Sequence, residues 1–223
     1  MIKLADYRPR AQGMPDLLPW AALVAPGVVL NKDGSLLAAW KVRGQDTASS
    51  TFEEMDWISG KANDALRQLG NGWMLHMQAI REYSRAYPPE ESSRFPDPVT
   101  QMIDDERRAY FGADWCYATT TVLSLTFKPN LQAARIARQA QNNLETDLFG
   151  ETLEYFQIML HQIEDTLATV LRMERLQERE ATSLGIRFEV SDLLSHLQQC
   201  LTGENQPIRV PPIPMYLDAV LGS

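Results

Sequence analysis

From Gly27 the chain reads Gly-Val-Val-Leu-Asn-Lys-Asp-Gly-Ser-Leu-Leu-Ala-Ala-Trp-Lys-Val-Arg-Gly, two apolar runs on either side of Asn31 to Ser35. Asp33-Gly34 supplies the left-handed positions of a tight hairpin, so a strand is expected on each side. A helix is predicted over Thr51 to Leu69, where Thr51 with Glu54, or Ser50 with Glu53, can form a reciprocal capping box. Its apolar face reads Met55, Ile58, Ala62, Leu66 and Leu69, and Gly70 gives the stop. Trp73 to Glu82 reads as a strand, with Leu75, Met77 and Ala79 on one side and His76 and Gln78 on the other. Prolines crowd Tyr87 to Pro98, a loop, after which Asp97 as N-cap and Pro98 at the first helical position open a helix to about Phe111. Val99, Met102, Ile103 and Tyr110 are its expected packing side. Tyr117 to Phe127, rich in Thr, Val, Leu and aromatic residues, is a further strand.

Beyond Asn130 there is no proline until Pro207, and Ala, Gln, Glu, Leu and Arg dominate. Helices are predicted at 131–146 and 150–181, a short strand at Ile186 to Val190, and a last helix at Ser191 to Leu201. Leu153, Phe156, Leu160, Ile163, Leu167 and Val170 recur at spacings of three and four, the seam of a helical hairpin or coiled coil. That seam is either an internal core or an interface with another chain. Gly203 to Pro214 carries four prolines and reads as a linker.

The expected fold is α+β, an antiparallel sheet covered by helices 51–69 and 98–111, with an attached helical unit. The corresponding domains are 1–130, sheet-containing; 131–203, mainly helical; and 204–223, a proline-rich linker.

Composition narrows the function classes. The chain has 223 residues, 44% of them hydrophobic, and 21 Lys+Arg against 29 Asp+Glu leave a net charge of −8. That supports one sizeable core or two small ones. The acidic balance argues against a general nucleic-acid binder, which needs surplus Lys and Arg to neutralise phosphates. Two cysteines, Cys116 and Cys200, do not make a disulfide framework, and reduced, buried thiols in a cytosolic chain are expected. The N-terminus has no continuous apolar signal region. The apolar run from Trp20 to Leu30 is interrupted by Pro26-Gly27 and falls short of the roughly 20 residues that a bilayer span requires. Any membrane contact is expected to be peripheral.

Catalytic motifs are not found. No G-x-x-x-x-G-K-[ST] loop occurs, and Gly70 and Gly72 flank Asn71 in helix-then-strand order, which suits a turn rather than a phosphate cradle. His76, His161 and His196 are scattered without metal-ligand spacing. No G-x-S-x-G elbow is present. Glu53, Glu54 and Asp56, like Asp104, Asp105 and Glu106, fall in early helical turns, where they complement the macrodipole and read as solvated faces. The run Asp104 to Arg108 can also grip a partner. Leu17, Leu18, Trp20 and Leu23 either lie against a membrane subunit or form a first strand. Catalytic, cofactor-binding and metal residues are accordingly expected to be none, with an enzyme whose site converges only in three dimensions as the competing reading.

Several stretches carry a family likeness: Leu4 to Arg8, Leu18 to Ser35, Phe95 to Pro98 with Asp105 to Arg108, Thr182 to Gly185, and Pro214 to Gly222. Together they resemble the N-terminal domain of the CagE/TrbE family of conjugal-transfer ATPases of type IV secretion systems. The likeness covers nearly the whole chain, and its motifs are structural rather than catalytic. It implies a motor at the cytoplasmic face of the inner membrane that powers pilus biogenesis and substrate transfer. It also implies that this domain docks the motor onto inner-membrane subunits and contributes to self-association. ATP and Mg would belong to a C-terminal ATPase domain beyond the linker, leaving no cofactor here and no direct nucleic-acid contact. A stand-alone regulatory protein derived from a truncated motor is the alternative.

Overall fold

A computed structural model describes residues 13–45, 49–84, 87–112, 116–130, 148–183 and 185–222. After a short helix α1 (Met14–Leu17) come β1 (Trp20–Ala25), β2 (Val28–Asn31) and β3 (Leu36–Gly44), then α2 (Phe52–Arg67) and β4 (Trp73–Tyr83). A 3-10 turn at Glu90–Ser92 precedes α3 (Pro98–Gly112) and β5 (Tyr117–Phe127). The remainder is α4 (Leu148–Leu167), β6 (Leu171–Arg175), β7 (Glu178–Ser183), β8 (Ile186–Ser191), α5 (Asp192–Thr202), β9 (Ile208–Arg209) and α6 (Leu217–Leu221). Six strands form one sheet in the order β1-β2-β3-β5-β4, with β6 also on β3, and β7-β8-β9 form a second. The pairings of β1 with β2, β2 with β3, β3 with β6, β7 with β8 and β8 with β9 are antiparallel. The α+β expectation holds. The described residues fall into two compact units, one made of those up to His76 and from Leu123 onward, the other of those within Met77–Val122.

In the larger unit the hairpin turn is built as the sequence suggests. Gly34 takes φ +82, Asn31 N–H donates to Ser35 O at 2.8 Å, and the Ser35 amide and hydroxyl both donate to Asp33 Oδ1. The Ser35 hydrogen bonds, with Lys128 Nζ 2.9 Å from the other carboxylate oxygen, hold Asp33 down at about 2. β3 then enters the core, where Leu36, Ala38, Ala39 and Trp40 are fully buried. Against it pack Phe156, Leu160, Ile163 and Leu167 of α4, with Ala65 of α2. The seam of α4 is therefore internal. The capping box of α2 forms between Thr51 and Glu54, but its buried residue is Ala65, while Met55 and Leu66, expected to pack, are exposed.

Three other expectations are corrected. The helix predicted over 150–181 ends at Leu167, and the next residues alternate, Leu171, Met173 and Arg175 half-buried against exposed Arg172 and Glu174. That period of two lets β6 pair with β3, Trp40 opposite Arg175 through Gly44 opposite Leu171. The chain then turns into β7, also unforeseen, so the region read as mainly helical carries strands. Helix 131–146 lies outside the described residues. In the proline-rich 204–223 segment, expected to be a linker, Pro214 O accepts from Leu23 N–H at 2.7 Å and Met215 bridges Ala22 of β1. Leu217 and Leu221 of α6 are buried, and Asp218 pairs with Lys32 at 2.7 Å.

The β1–β2 turn is tied to this later stretch of the chain. Gly27 N–H donates to Glu178 Oε2 at 2.9 Å, and Glu178 Oε1 accepts from the hydroxyl of Ser191, the N-cap of α5. Gly27 has φ +63, and a Cβ there would lie 2.5 Å from Leu176 O. Gly27→Ala should therefore lower stability by about 1–3 kcal/mol, through both the left-handed backbone and the backbone clash. Gly60, inside α2 with open space around its Cβ position, should respond oppositely, Gly60→Ala adding about 0.5–1 kcal/mol. Urea midpoints of the two variants test the pair.

Candidate interaction surface

The smaller unit, Met77–Val122, is organised around the inward side of α3. Asp97 caps the helix, its Oδ2 accepting from both the amide and the hydroxyl of Thr100 at 2.8 Å. Those bonds hold the Asp97 carboxyl below the usual range. One turn further, Asp104 is only 7% exposed. Its Oδ1 accepts from the Tyr87 hydroxyl at 2.6 Å, and its Oδ2 pairs with Arg108 Nη2. The Tyr87 hydrogen bond is the main reason that the Asp104 carboxyl lies low, with Arg108 adding to it, and the same bond raises the Tyr87 phenol. Arg108 also reaches Asp105 at 3.0 Å and Pro88 O at 3.4 Å. The Tyr87 ring stacks on Phe111 at 5.7 Å, and the Gln101 carbonyl accepts from the Phe95 amide. The helix is thus fastened to the 87–95 loop by polar groups.

This reverses the expected facing. Asp104, read as part of a solvated face, is buried, and the apolar residues predicted to pack point to solvent, Val99 at 58% and Met102 at 65% exposure, with Ile103 and Tyr110 also exposed. The reason is local: Gln101, Asp104 and Arg108 share one side of the helix and all find partners on the loop, leaving Val99, Ile103 and Tyr110 opposite. β4 stands last in the strand order of its sheet, and Met77 on it is exposed as well. From Met77 to Ile80 the strand alternates as expected, and the more buried side is that of Gln78 and Ile80, while Met77 and Ala79 are exposed. Near the strand ends Arg81 stacks over Tyr117 at 4.3 Å and Tyr83 lies 4.7 Å from the same ring.

Comparison with known proteins places these elements. The family described as type IV secretion system ATPase VirB4/TrbE, N-terminal domain, matches residues 27–135. A conjugal transfer protein TrbE of Rhizobium radiobacter is 36% identical over 98% of this chain, which spans 27% of that relative's length. In Sinorhizobium fredii a probable conjugal transfer protein TrbE occurs in two portions, and the first is 40% identical over 62% of this chain and 93% of its own length. The chain belongs to the VirB4/TrbE N-terminal domain family. The second Sinorhizobium fredii portion is 40% identical over 28% of this chain and 10% of its own length. The family is a type IV secretion ATPase family, and the match to it is with the N-terminal domain.

Within this VirB4/TrbE domain most residues with candidate chemistry stay apart, the exception being His196 and Cys200, one turn apart on α5, whose Nε2 and Sγ lie 3.7 Å from each other. Gly72 adopts φ +90, and its carbonyl accepts from Lys128 N–H at 2.8 Å, a turn between α2 and β4. His76 is exposed on β4, and His161 is exposed on α4, with Nδ1 2.7 Å from Gln157 O. Glu53 and Asp56 are exposed on α2. The thiols are not buried as expected: Cys200 is exposed near the end of α5 and Cys116 is half-buried, 3.7 Å from Tyr110 O. Leu18 and Trp20 are buried, Leu23 is half-buried in β1, and Leu17 is exposed, which fits the first-strand reading of that segment. No helix among the described residues is long and apolar enough to cross a membrane. His196, on α5, was not foreseen as buried; its Nδ1 meets no hydrogen-bond partner among the described residues.

Two outcomes follow from this geometry. Asp104→Ala should release α3, raising amide exchange over residues 98–112 by about tenfold or more, because a buried ionic hydrogen-bond set is lost; Glu106→Ala, exposed on the other side, should not. Burial holds the His196 imidazole below its ordinary value, so the fold favours the neutral ring. The unfolded chain then takes up the proton first, and stability drops as pH falls below about 6.5. The stability gap between wild type and His196→Phe should therefore shift in the variant's favour between pH 7 and 5.5, read from urea midpoints.

Proposed function

We propose that this chain is the docking and oligomerisation domain of a type IV secretion and conjugal transfer ATPase, anchoring the motor to inner-membrane subunits for pilus assembly and substrate transfer. On this reading it works at the cytoplasmic face of the inner membrane, touches the membrane only peripherally and does not bind nucleic acid. It hydrolyses no ATP itself, because ATP and Mg are handled by a C-terminal domain. The observation that carries the reading is the exposed apolar side of α3, fixed outward by the Asp104 clamp in a domain whose relatives are conjugal transfer proteins. Exposed aromatic and Met side chains are the composition of protein interfaces rather than of nucleic-acid grooves. A net charge of −8 complements the Lys- and Arg-rich cytoplasmic segments of membrane proteins.

A second reading, a stand-alone regulatory protein derived from a truncated motor, draws support from the first of the two Sinorhizobium fredii TrbE portions, nearly all of whose length this chain covers. The DNA after codon 223 separates the two: an in-frame path to a Walker motif supports the motor, an immediate stop the stand-alone protein. For docking itself, affinity capture with the tagged protein against the candidate inner-membrane subunits of the apparatus should recover at least one of them. Recovery of none would contradict the docking reading, and ATP turnover by the purified chain would contradict its non-hydrolytic role.

A further inference from the structure

We propose that the outward side of α3 binds a basic amphipathic helix belonging to a partner protein. The proposal rests on the docking reading and names the surface and the chemistry of its occupant. Val99, Met102, Ile103, Glu106 and Tyr110 follow spacings of three, one, three and four, a single stripe along about three turns of helix, and all five are exposed. An apolar stripe of this length is covered by a second helix laid along it.

The charges decide which helix. Glu106 stands in the middle of the stripe, so an apolar cover without a cation would desolvate its carboxylate unpaired. On the flank next to Met102, Asp105 lines a polar pocket together with Glu90 and Glu91, with Arg94 as its basic member; Arg107 borders the opposite flank. A helix with Leu-like residues on one face and Lys or Arg at its edges meets the stripe, Glu106 and the acidic flank together. Two copies of this chain, apposed stripe to stripe, would bring Glu106 towards its own counterpart in two bodies that each carry −8. An anionic lipid surface would meet the same carboxylates with like charge.

The probe is a labelled synthetic peptide of about five helical turns, Leu on one face and Lys on the other, titrated by fluorescence anisotropy, with a Leu/Glu peptide of identical pattern as control. The expected result is saturable binding of the Leu/Lys peptide alone, weakened about tenfold by Glu106→Lys and also by Met102→Asp, and left unchanged by Glu53→Lys on α2. Hydrogen exchange should show protection on binding that is confined to residues 98–112. Equal binding of the Leu/Glu peptide, equal weakening by Glu53→Lys, or recruitment to phosphatidylglycerol vesicles would overturn the proposal. Capture of inner-membrane subunits that persists unchanged in Glu106→Lys would overturn this surface while leaving docking in place; loss of all capture by wild-type protein would instead remove the docking reading.

Discussion

Strand β3 is the constraint on which the larger unit depends. It is paired with β2 over its first residues and with β6 from Trp40 onward, and β5 follows it in the sheet. Leu36, Ala38, Ala39 and Trp40 are buried without remainder, so both its backbone and its side chains are committed. Chain segments far apart in sequence must therefore be in place before β3 is covered: the hairpin before it, α2 and β5 after it, α4 and β6 more than a hundred residues on. The Glu178 carboxylate adds a polar tie across the same distance, joining the Gly27 amide to the N-cap of α5. A half-buried carboxylate with both oxygens satisfied is strongly directional, and it fixes where the turn after β1 sits.

The smaller unit follows a different logic. A segment of this size has little apolar surface to bury, and its organising contact is a carboxylate held by a phenol and a guanidinium. Asp104, Tyr87 and Arg108 fasten α3 by its polar side. The apolar side is consequently exposed, which leaves the amphipathic pattern of α3 open to the external partner proposed above rather than committed to an internal core. In a VirB4/TrbE N-terminal domain, from a secretion ATPase family, a helix presented in this way connects local structure directly with the proposed docking role.

Much of this architecture was legible in the residues. Asp33-Gly34 marked the hairpin, Thr51 and Glu54 the start of α2, Asp97-Pro98 the start of α3, and the spacing from Leu153 to Leu167 the buried face of α4. What was not legible has physical causes. Arg172 to Arg179 is made largely of good helix formers, and the strands there exist because β3 and β8 offer ladder partners, which sequence-local propensity does not register. The direction in which α3 faces was hidden because apolar spacing identifies a stripe but not what covers it; only the 17-residue reach from Tyr87 to Asp104 settles the matter. Similarly, four prolines made 204–223 read as a linker, whereas Leu217 and Leu221 reveal its anchoring once their burial is known.

On the proposed reading this domain meets its partner through the outward side of α3. Site-specific photocrosslinking in cells carrying out conjugal transfer tests it most directly, with the crosslinking residue placed at Met102 or, for comparison, at Trp57, which is exposed on α2. Position 102 should give a covalent adduct with an inner-membrane subunit of the secretion apparatus and position 57 none. An adduct with that subunit from position 57 alone, or from neither position, would contradict this reading.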